Sequence, residues 1–316
     1  MDSEITGVFE GGGVRGIALT GAAAAALDLG YVFDQVVGTS AGAIVAALAA
    51  SGYDSRELRD VSRSIDWPSL NTSRNWLQKH YSMLVRRGFH NGARLETVLG
   101  SLLGLKGVET FGDLPEGALR VVATDLSHGR GVVLPDDLAE LGINPRRFSV
   151  ARAVRMSSSV PFVFDPVRLI DQVTGETMMM ADGAMAARFP VQLVPRDGSS
   201  VGFRLKQPLH THTHYEIKGP IALATAVIGA GITAREDLPF VCGPLKNTVE
   251  IVVDHDSMDF DVSASRAMEM FDLGYAATFG QLEESAGCRR HCRRNRCSPI
   301  SRGNGGCSEL LPSHRR

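Results

Sequence analysis

Two apolar rhythms alternate along the first fifty residues. Ile5–Phe9 and Val32–Val37 are short, dense apolar runs of the length and side-chain type that form buried strands. Each is followed by a glycine turn, Gly11–Gly16 after the first and Gly38-Thr39-Ser40-Ala41-Gly42 after the second. Each turn then opens an alanine-rich helical stretch. Ile17–Leu29 ends at Gly30, the residue type preferred just past a helix, and Ala43–Ala50 stops at Ser51-Gly52. Strand, turn and helix, twice in succession, predict an α/β fold with a parallel sheet.

The pattern continues with less regularity. Asp54–Leu105 reads as mostly helical, with Asp54-Ser55-x-Glu57 able to open a helix, Pro68 breaking it and Asn91-Gly92 marking a turn. Leu119–Asp125 and Val132–Leu134 read as strands and Val150–Met156 as a helix. Phe162–Ile170 is extended, Asp171–Glu176 resembles a hairpin turn, and Thr177–Met180 returns to Asp182-Gly183. Val201–Leu205 and Thr248–Val253 are further strands; Ile221–Glu236 and Ala264–Gln281 are helical. No internal repeat is visible. The reading is one domain over residues 1–285 and an Arg/Cys-rich disordered tail over 286–316.

Composition is that of a globular chain: 316 residues, 44% hydrophobic and 22% charged. The net charge of −2 conceals an asymmetry. From Ala286 onward eight arginines face one acid, Glu309, which leaves the tail at +7 and the body at −9. Such a tail can attract anionic lipid surfaces and give peripheral membrane contact, or else it is a solvated tail without function. Four of the five cysteines also lie there, at spacings that match no common zinc module. No targeting segment is visible, and the longest apolar stretches fall short of the roughly 18 residues of a membrane span. The expectation is a cytoplasmic chain; secretion without a signal is left open.

The chemistry sits in the two glycine turns. Gly11-x-Gly13-x-x-Gly16 follows a strand and opens a helix, as a dinucleotide-binding loop does. That reading also needs an acid at the end of the second strand to hold a ribose. Asp34 has about the right spacing but precedes Gln35-Val36-Val37 instead of ending the strand. The second turn is G-x-S-x-G at a strand-to-helix junction, the arrangement of a nucleophile elbow. Gly38 and Gly42 leave room for a turn too tight for side chains, and Ser40 stands at its apex. If the two strands are near neighbours, Gly11, Gly12 and Gly13 lie beside Ser40 and aim their amides at a developing oxyanion. Arg15 either adds charge to that loop or braces it. A serine also needs a base. Ser40, Asp182 and His255 stand in α/β-hydrolase order, and Asp182 in Asp182-Gly183-Ala184 could instead reach the hydroxyl directly.

EGGGVRG (10–16), GTSAG (38–42) and DGA (182–184), in that order, resemble the patatin-like phospholipases. ATDLSHGRGVV (123–133), ARAVRMSSSVPFVFDPV (151–167) and Asp259-Phe260 also look like that family, and the resemblance extends over about residues 5–283. It implies a three-layer α/β/α fold around a central, mostly parallel sheet. It implies a serine–aspartate dyad that works without histidine: Ser40 as nucleophile and Asp182 as base. The loop Gly11, Gly12, Gly13, Arg15 and Gly16 would be the oxyanion hole, with Gly38 and Gly42 in the elbow and Gly183 and Ala184 in the aspartate loop. The implied reaction is hydrolysis of a phospholipid or other acyl-ester lipid with no metal or organic cofactor, and no nucleic acid partner.

Three features stand outside that scheme. His210-x-His212-x-His214 would share one strand face as a metal site but reads better as a surface loop beside Pro208. Met178–Met180 reads as core. Trp67, Leu70, Trp76 and Leu77 read as packing, or else as a lid toward lipid.

Overall fold

The computed structural model describes residues 3–65, 88–90, 92–195, 197–208, 219, 223, 226–227, 245 and 247–294. The strands are β1 (Ser3–Phe9), β2 (Tyr31–Thr39), β3 (Gly88–His90), β4 (Leu119–Asp125), β5 (Arg130–Leu134), β6 (Phe162–Phe164), β7 (Val167–Ile170), β8 (Thr177–Asp182), β9 (Ser200–Lys206) and β10 (Asn247–Val252). The helices are α1 (Gly16–Asp28), α2 (Ala41–Ala50), α3 (Ser55–Ser64), α4 (Ala93–Gly104), α5 (Val150–Ser157), the single turn α6 (Ala184–Ala187) and α7 (Ala264–Arg294).

Eight strands form one sheet in the order β10-β9-β1-β2-β4-β8-β7, with β5 also on β4. β10, β9, β1, β2 and β4 run parallel, and β8 pairs antiparallel with β4 and β7. The fold is α/β with a mostly parallel central sheet. β1 shows why both of its faces are apolar: Phe9 points into the large core under the helices, and Val8 packs with Val37, Phe189, Val191, Val194 and Leu245 on the other side. α1 lies against α7, and glycine makes the approach possible. A Cβ on Gly21 would sit 1.9 Å from the Phe271 carbonyl oxygen, and one on Gly274 would sit 1.8 Å from that of Ala18.

α3 opens at Asp54-Ser55-x-Glu57, where the sequence allowed a helix to begin, and does so with a capping box. The Asp54 carboxylate accepts the Glu57 amide at 2.8 Å, and Glu57 accepts the Asp54 amide at 2.9 Å. α7 extends beyond Gln281 and through residue 285 to Arg294. His210, His212, His214, Trp67, Leu70, Trp76 and Leu77 lie outside the described residues, as does most of 221–236. Met178 and Met180 are buried core residues, as read, while Met179 between them faces the other way and is half-buried. Among the described residues, no helix is long and apolar enough to cross a membrane.

The feature that builds the site is the edge of β4. Val121 pairs with Gly38 of β2 and with Leu134 of β5, so those strands flank it on opposite edges. Thr124 pairs with Ala181 of β8 and with Gly131 of β5. β2 and β8 therefore share one edge of β4. They run toward each other and meet end to end: Thr39 lies beside Val122, and Asp182 lies beside Ala123, the next position.

Candidate active site

Ser40 leaves the end of β2 with φ 54° and ψ −123°, a positive-φ conformation that few residues other than glycine adopt. Its neighbours are small because backbone crowds the turn. A Cβ on Gly38 would lie 2.3 Å from the Gly42 oxygen, and one on Gly42 would lie 2.3 Å from the Phe9 oxygen. The Ser40 side chain is thereby held at the N-terminus of α2, where backbone N–H groups without intrahelical partners favour negative charge.

Asp182 ends β8 and reaches Ser40 directly. The Ser40 hydroxyl donates to Asp182 Oδ2 at 2.5 Å, and the Ala184 amide donates to Oδ1 at 2.8 Å. Gly183 has to be glycine for this turn, since a Cβ there would lie 2.0 Å from the Val122 oxygen. Both residues are buried, Ser40 5% and Asp182 2% exposed. Burial pushes the Asp182 carboxyl up to about 6, against the opposing pull of the Ser40 hydroxyl, the Ala184 amide and Arg188. His255 is not part of this contact; its Nε2 bonds the Asp259 carbonyl at 3.0 Å.

The glycine loop lies against the serine. A Cβ on Gly11 would be 3.3 Å from Ser40 Cβ, and one on Gly16 would be 2.4 Å from Ala41 Cβ. The Gly11 amide is spent on the Arg188 carbonyl and the Val14 amide on Ser257, each at 2.9 Å. Between them, the Gly12 and Gly13 amides have no partner among the described residues. Gly13 is the member with positive φ, at 57°. Arg15 is buried near Glu10, and its charge is one of those that oppose the rise of the Glu10 carboxyl. Asp34, the ribose candidate, is exposed in the middle of β2, five residues before its end at Thr39.

Sequence reasoning missed several residues here. Ser157, the last residue of α5 and the first of the serine run, accepts the Ser40 amide at 2.8 Å and donates to the Val122 carbonyl at 2.5 Å. Its own carbonyl accepts the Gly183 amide at 3.1 Å, and that of Ser159 accepts the Asp182 amide at 2.9 Å. One segment thus holds the backbone of both site residues. Glu10, 1% exposed, accepts the Leu205 amide at 2.6 Å and lies 3.6 Å from Arg188 and 3.8 Å from Arg204. Burial raises its carboxyl and the surrounding arginines oppose that rise. Arg188 Nε donates to the Gly11 carbonyl at 2.9 Å, so one side chain ties the glycine loop to the segment after Asp182. The visible signal was a buried-type acid, Glu10, joining a strand to a glycine loop.

Behind Ser40 lies an apolar cavity. Its walls are one face each of α1 (Ile17, Thr20), α2 (Ala41, Ile44, Val45, Leu48) and α4 (Leu95, Val98, Leu99, Leu102), with Phe164 and Phe260 at the side. It offers about 80 Å³ of room for the centres of water-sized groups, where one water needs roughly 10–15 Å³ on that measure. No group of three His, Cys, Asp or Glu side chains among the described residues is placed to hold a metal ion.

Residues 7–194 match the family model described as Patatin-like phospholipase. The chain belongs to the patatin-like phospholipase family. Membership places it among lipid acyl hydrolases in general. This patatin-like chain is 36% identical over 289 residues to the uncharacterized protein YqhO of Bacillus subtilis, spanning 87% of the present chain and 96% of that relative. It is 27% identical over 263 residues to an uncharacterized NTE family protein, Mb2594, of Mycobacterium bovis, covering 82% of this chain and 38% of the relative. Among solved structures, VipD from Legionella pneumophila aligns with a TM-score of 0.52 at 16% identity, over 89% of this chain and 67% of that one. That likeness concerns the fold alone.

Proposed function

We propose that this patatin-like phospholipase hydrolyses carboxylic esters of phospholipids or related lipids through a Ser40–Asp182 dyad. The observation that carries the reading is the 2.5 Å hydrogen bond from the Ser40 hydroxyl to a buried carboxylate at an elbow. Ser40 Oγ attacks the ester carbonyl as its proton passes to Asp182 Oδ2. The carbonyl oxygen gains the negative charge, which the Gly12 and Gly13 amides and the N-terminus of α2 stabilise. Collapse of the tetrahedral intermediate expels the alcohol, which takes the proton from Asp182, and leaves an acyl-serine. Water then attacks that ester, with Asp182 again as base, and releases the acid. Incubation with p-nitrophenyl butyrate and with defined phosphatidylcholines, followed by mass spectrometry of the products, tests the reading. Release of fatty acid and lysolipid supports it; intact lipid and ester oppose it.

The raised carboxyl of Asp182 predicts a pH profile. The base is active only when ionised, so kcat/KM should fall as pH drops through about 6. An unshifted carboxylate would hold activity down to about 4. A pH–rate curve on a short-chain ester, whose own ionisation is constant over this range, separates the two.

The loop glycines should differ in sensitivity. A Cβ on Gly13 would lie 2.0 Å from the Ser257 carbonyl oxygen and at positive φ, whereas one on Gly12 meets only the end of the Leu205 side chain, at 2.2 Å. Gly13→Ala should lower kcat by roughly 10²–10³, the effect of losing one oxyanion donor, with a smaller change in KM. Gly12→Ala should cost less, because its close contact is a side-chain tip and not backbone, and its φ of −166° suits any residue. Steady-state kinetics of the two variants check the order.

The Arg-rich stretch from residue 286 adds attraction to anionic lipid surfaces on this reading. Vesicle binding that weakens as salt rises would bear it out.

A further inference from the structure

We propose that the apolar cavity behind Ser40 is an acyl-chain slot whose length is the reach from Ser40 to Leu48, both of which line it, and that it selects medium-length chains. This inference rests on the hydrolase reading above and adds the chain class that the site takes. The cavity runs along one face of α2. Ser40, Ile44 and Leu48 line it at intervals of four residues, so the bore follows the helix axis. Eight residues at 1.5 Å each place Leu48 about 12 Å from the serine, the reach of an extended chain of about ten carbons. The room inside gives a second measure. About 80 Å³ for the centres of water-sized groups holds some five to eight groups of that size, at roughly 10–15 Å³ each, or about six to nine carbons once the carbonyl carbon is added. Length and volume agree on an optimum between about six and ten carbons.

The occupant follows from chemistry and position. Ser40 lines the slot, so a chain inside it is attached to the carbonyl that Ser40 attacks. The side chains of the walls are hydrocarbon apart from the hydroxyls of Thr20, Ser40 and Ser158. A charged or hydrogen-bonding headgroup would lose its water there without replacement, whereas an alkyl chain loses nothing and gains burial. Leu48 and Leu99 are each 1% exposed, while Leu102, on the same face of α4, is only half-buried. Leu102 is thus a wall residue that tolerates a larger side chain without overpacking the deep core.

Two measurements test the slot. The first is kcat/KM across p-nitrophenyl esters of increasing acyl length, with alkyl acetates of increasing alcohol length as the matched series. In the wild type the acyl series should climb, by up to about fourfold per buried methylene, to an optimum between about six and ten carbons and then fall. Leu102→Trp should move the optimum to shorter chains and Leu48→Ala to longer ones, each judged by the shape of its own profile. Leu102→Phe serves if the tryptophan variant fails to fold by circular dichroism. The second is calorimetric binding of octanoate to Ser40→Ala, alone and combined with Leu102→Trp (or Leu102→Phe). Octanoate should bind the first and bind the double variant at least tenfold more weakly. If optima stay put in all variants and octanoate binding is unchanged, the slot assignment is wrong. It is also wrong if the alcohol series shifts in place of the acyl series. If the wild type turns over no ester yet octanoate binds and the double variant expels it, the hydrolase reading fails and the slot stands.

Discussion

Replacing Ser40 by alanine should abolish ester hydrolysis and leave the fold intact. Covalent catalysis has no route without its nucleophile, and comparable deletions in serine hydrolases cost on the order of a millionfold in kcat. The fold should survive because alanine fits the same position. Ser40 contributes one side-chain hydrogen bond, to Asp182, while its backbone bond to Ser157 Oγ does not depend on the side chain. The strain at φ 54° is common to both residues. Kinetics on a short ester, with a thermal melt of the same preparation, check both halves.

Asp182→Asn should be the next most damaging change, and it should also make the protein more stable. A positioned base is worth roughly 10²–10⁴ in rate, and asparagine keeps the shape without the basicity. The stability effect follows from the same raised carboxyl, about 6 in the fold against 3.8 as the ordinary value. Between those values the folded state keeps a proton that the unfolded state has released, so stability falls as pH rises through the window and the full penalty is present at pH 7. Removing the charge should recover up to about 3 kcal/mol at pH 7 and almost nothing at pH 3. A variant that is nearly inactive and melts higher at neutral pH is hard to explain by misfolding. His255→Asn should leave activity largely intact, since that imidazole bonds only the Asp259 carbonyl in the described structure.

Much of the framework was legible in the chain because its signals are local. Strand, glycine turn and helix follow one another within a few residues, and periodicity located β1, α1, β2 and α2 to within about two residues. The capping box of α3 and the hairpin between β7 and β8 were equally local. The candidate residues were legible because an elbow demands glycines at fixed offsets, and Gly38 and Gly42 supply them.

What the sequence left open was decided by contacts far apart in the chain. The residues alone left His255 and a direct Asp182 contact both open, whereas strand register places Thr39 and Asp182 at adjacent positions on β4. No local pattern records that β2 and β8 share an edge. Ser157 lay within a run of three serines that read as a helix end, and its bond to the Ser40 amide spans 117 residues. The use of the Gly11 amide on Arg188 was hidden for the same reason, since loop composition shows which residues permit an oxyanion hole and not which amides remain free.

The most direct test of the dyad is the rate at which a fluorophosphonate labels the protein, measured against pH in wild type and Asp182→Asn, with the adduct located by peptide mass spectrometry. The account predicts one adduct, on Ser40, forming at a rate that falls as pH drops through about 6 and at least a hundredfold more slowly, on the scale of a lost base, in the variant. An adduct on another serine, or Ser40 labelled as fast in Asp182→Asn as in the wild type, would contradict it.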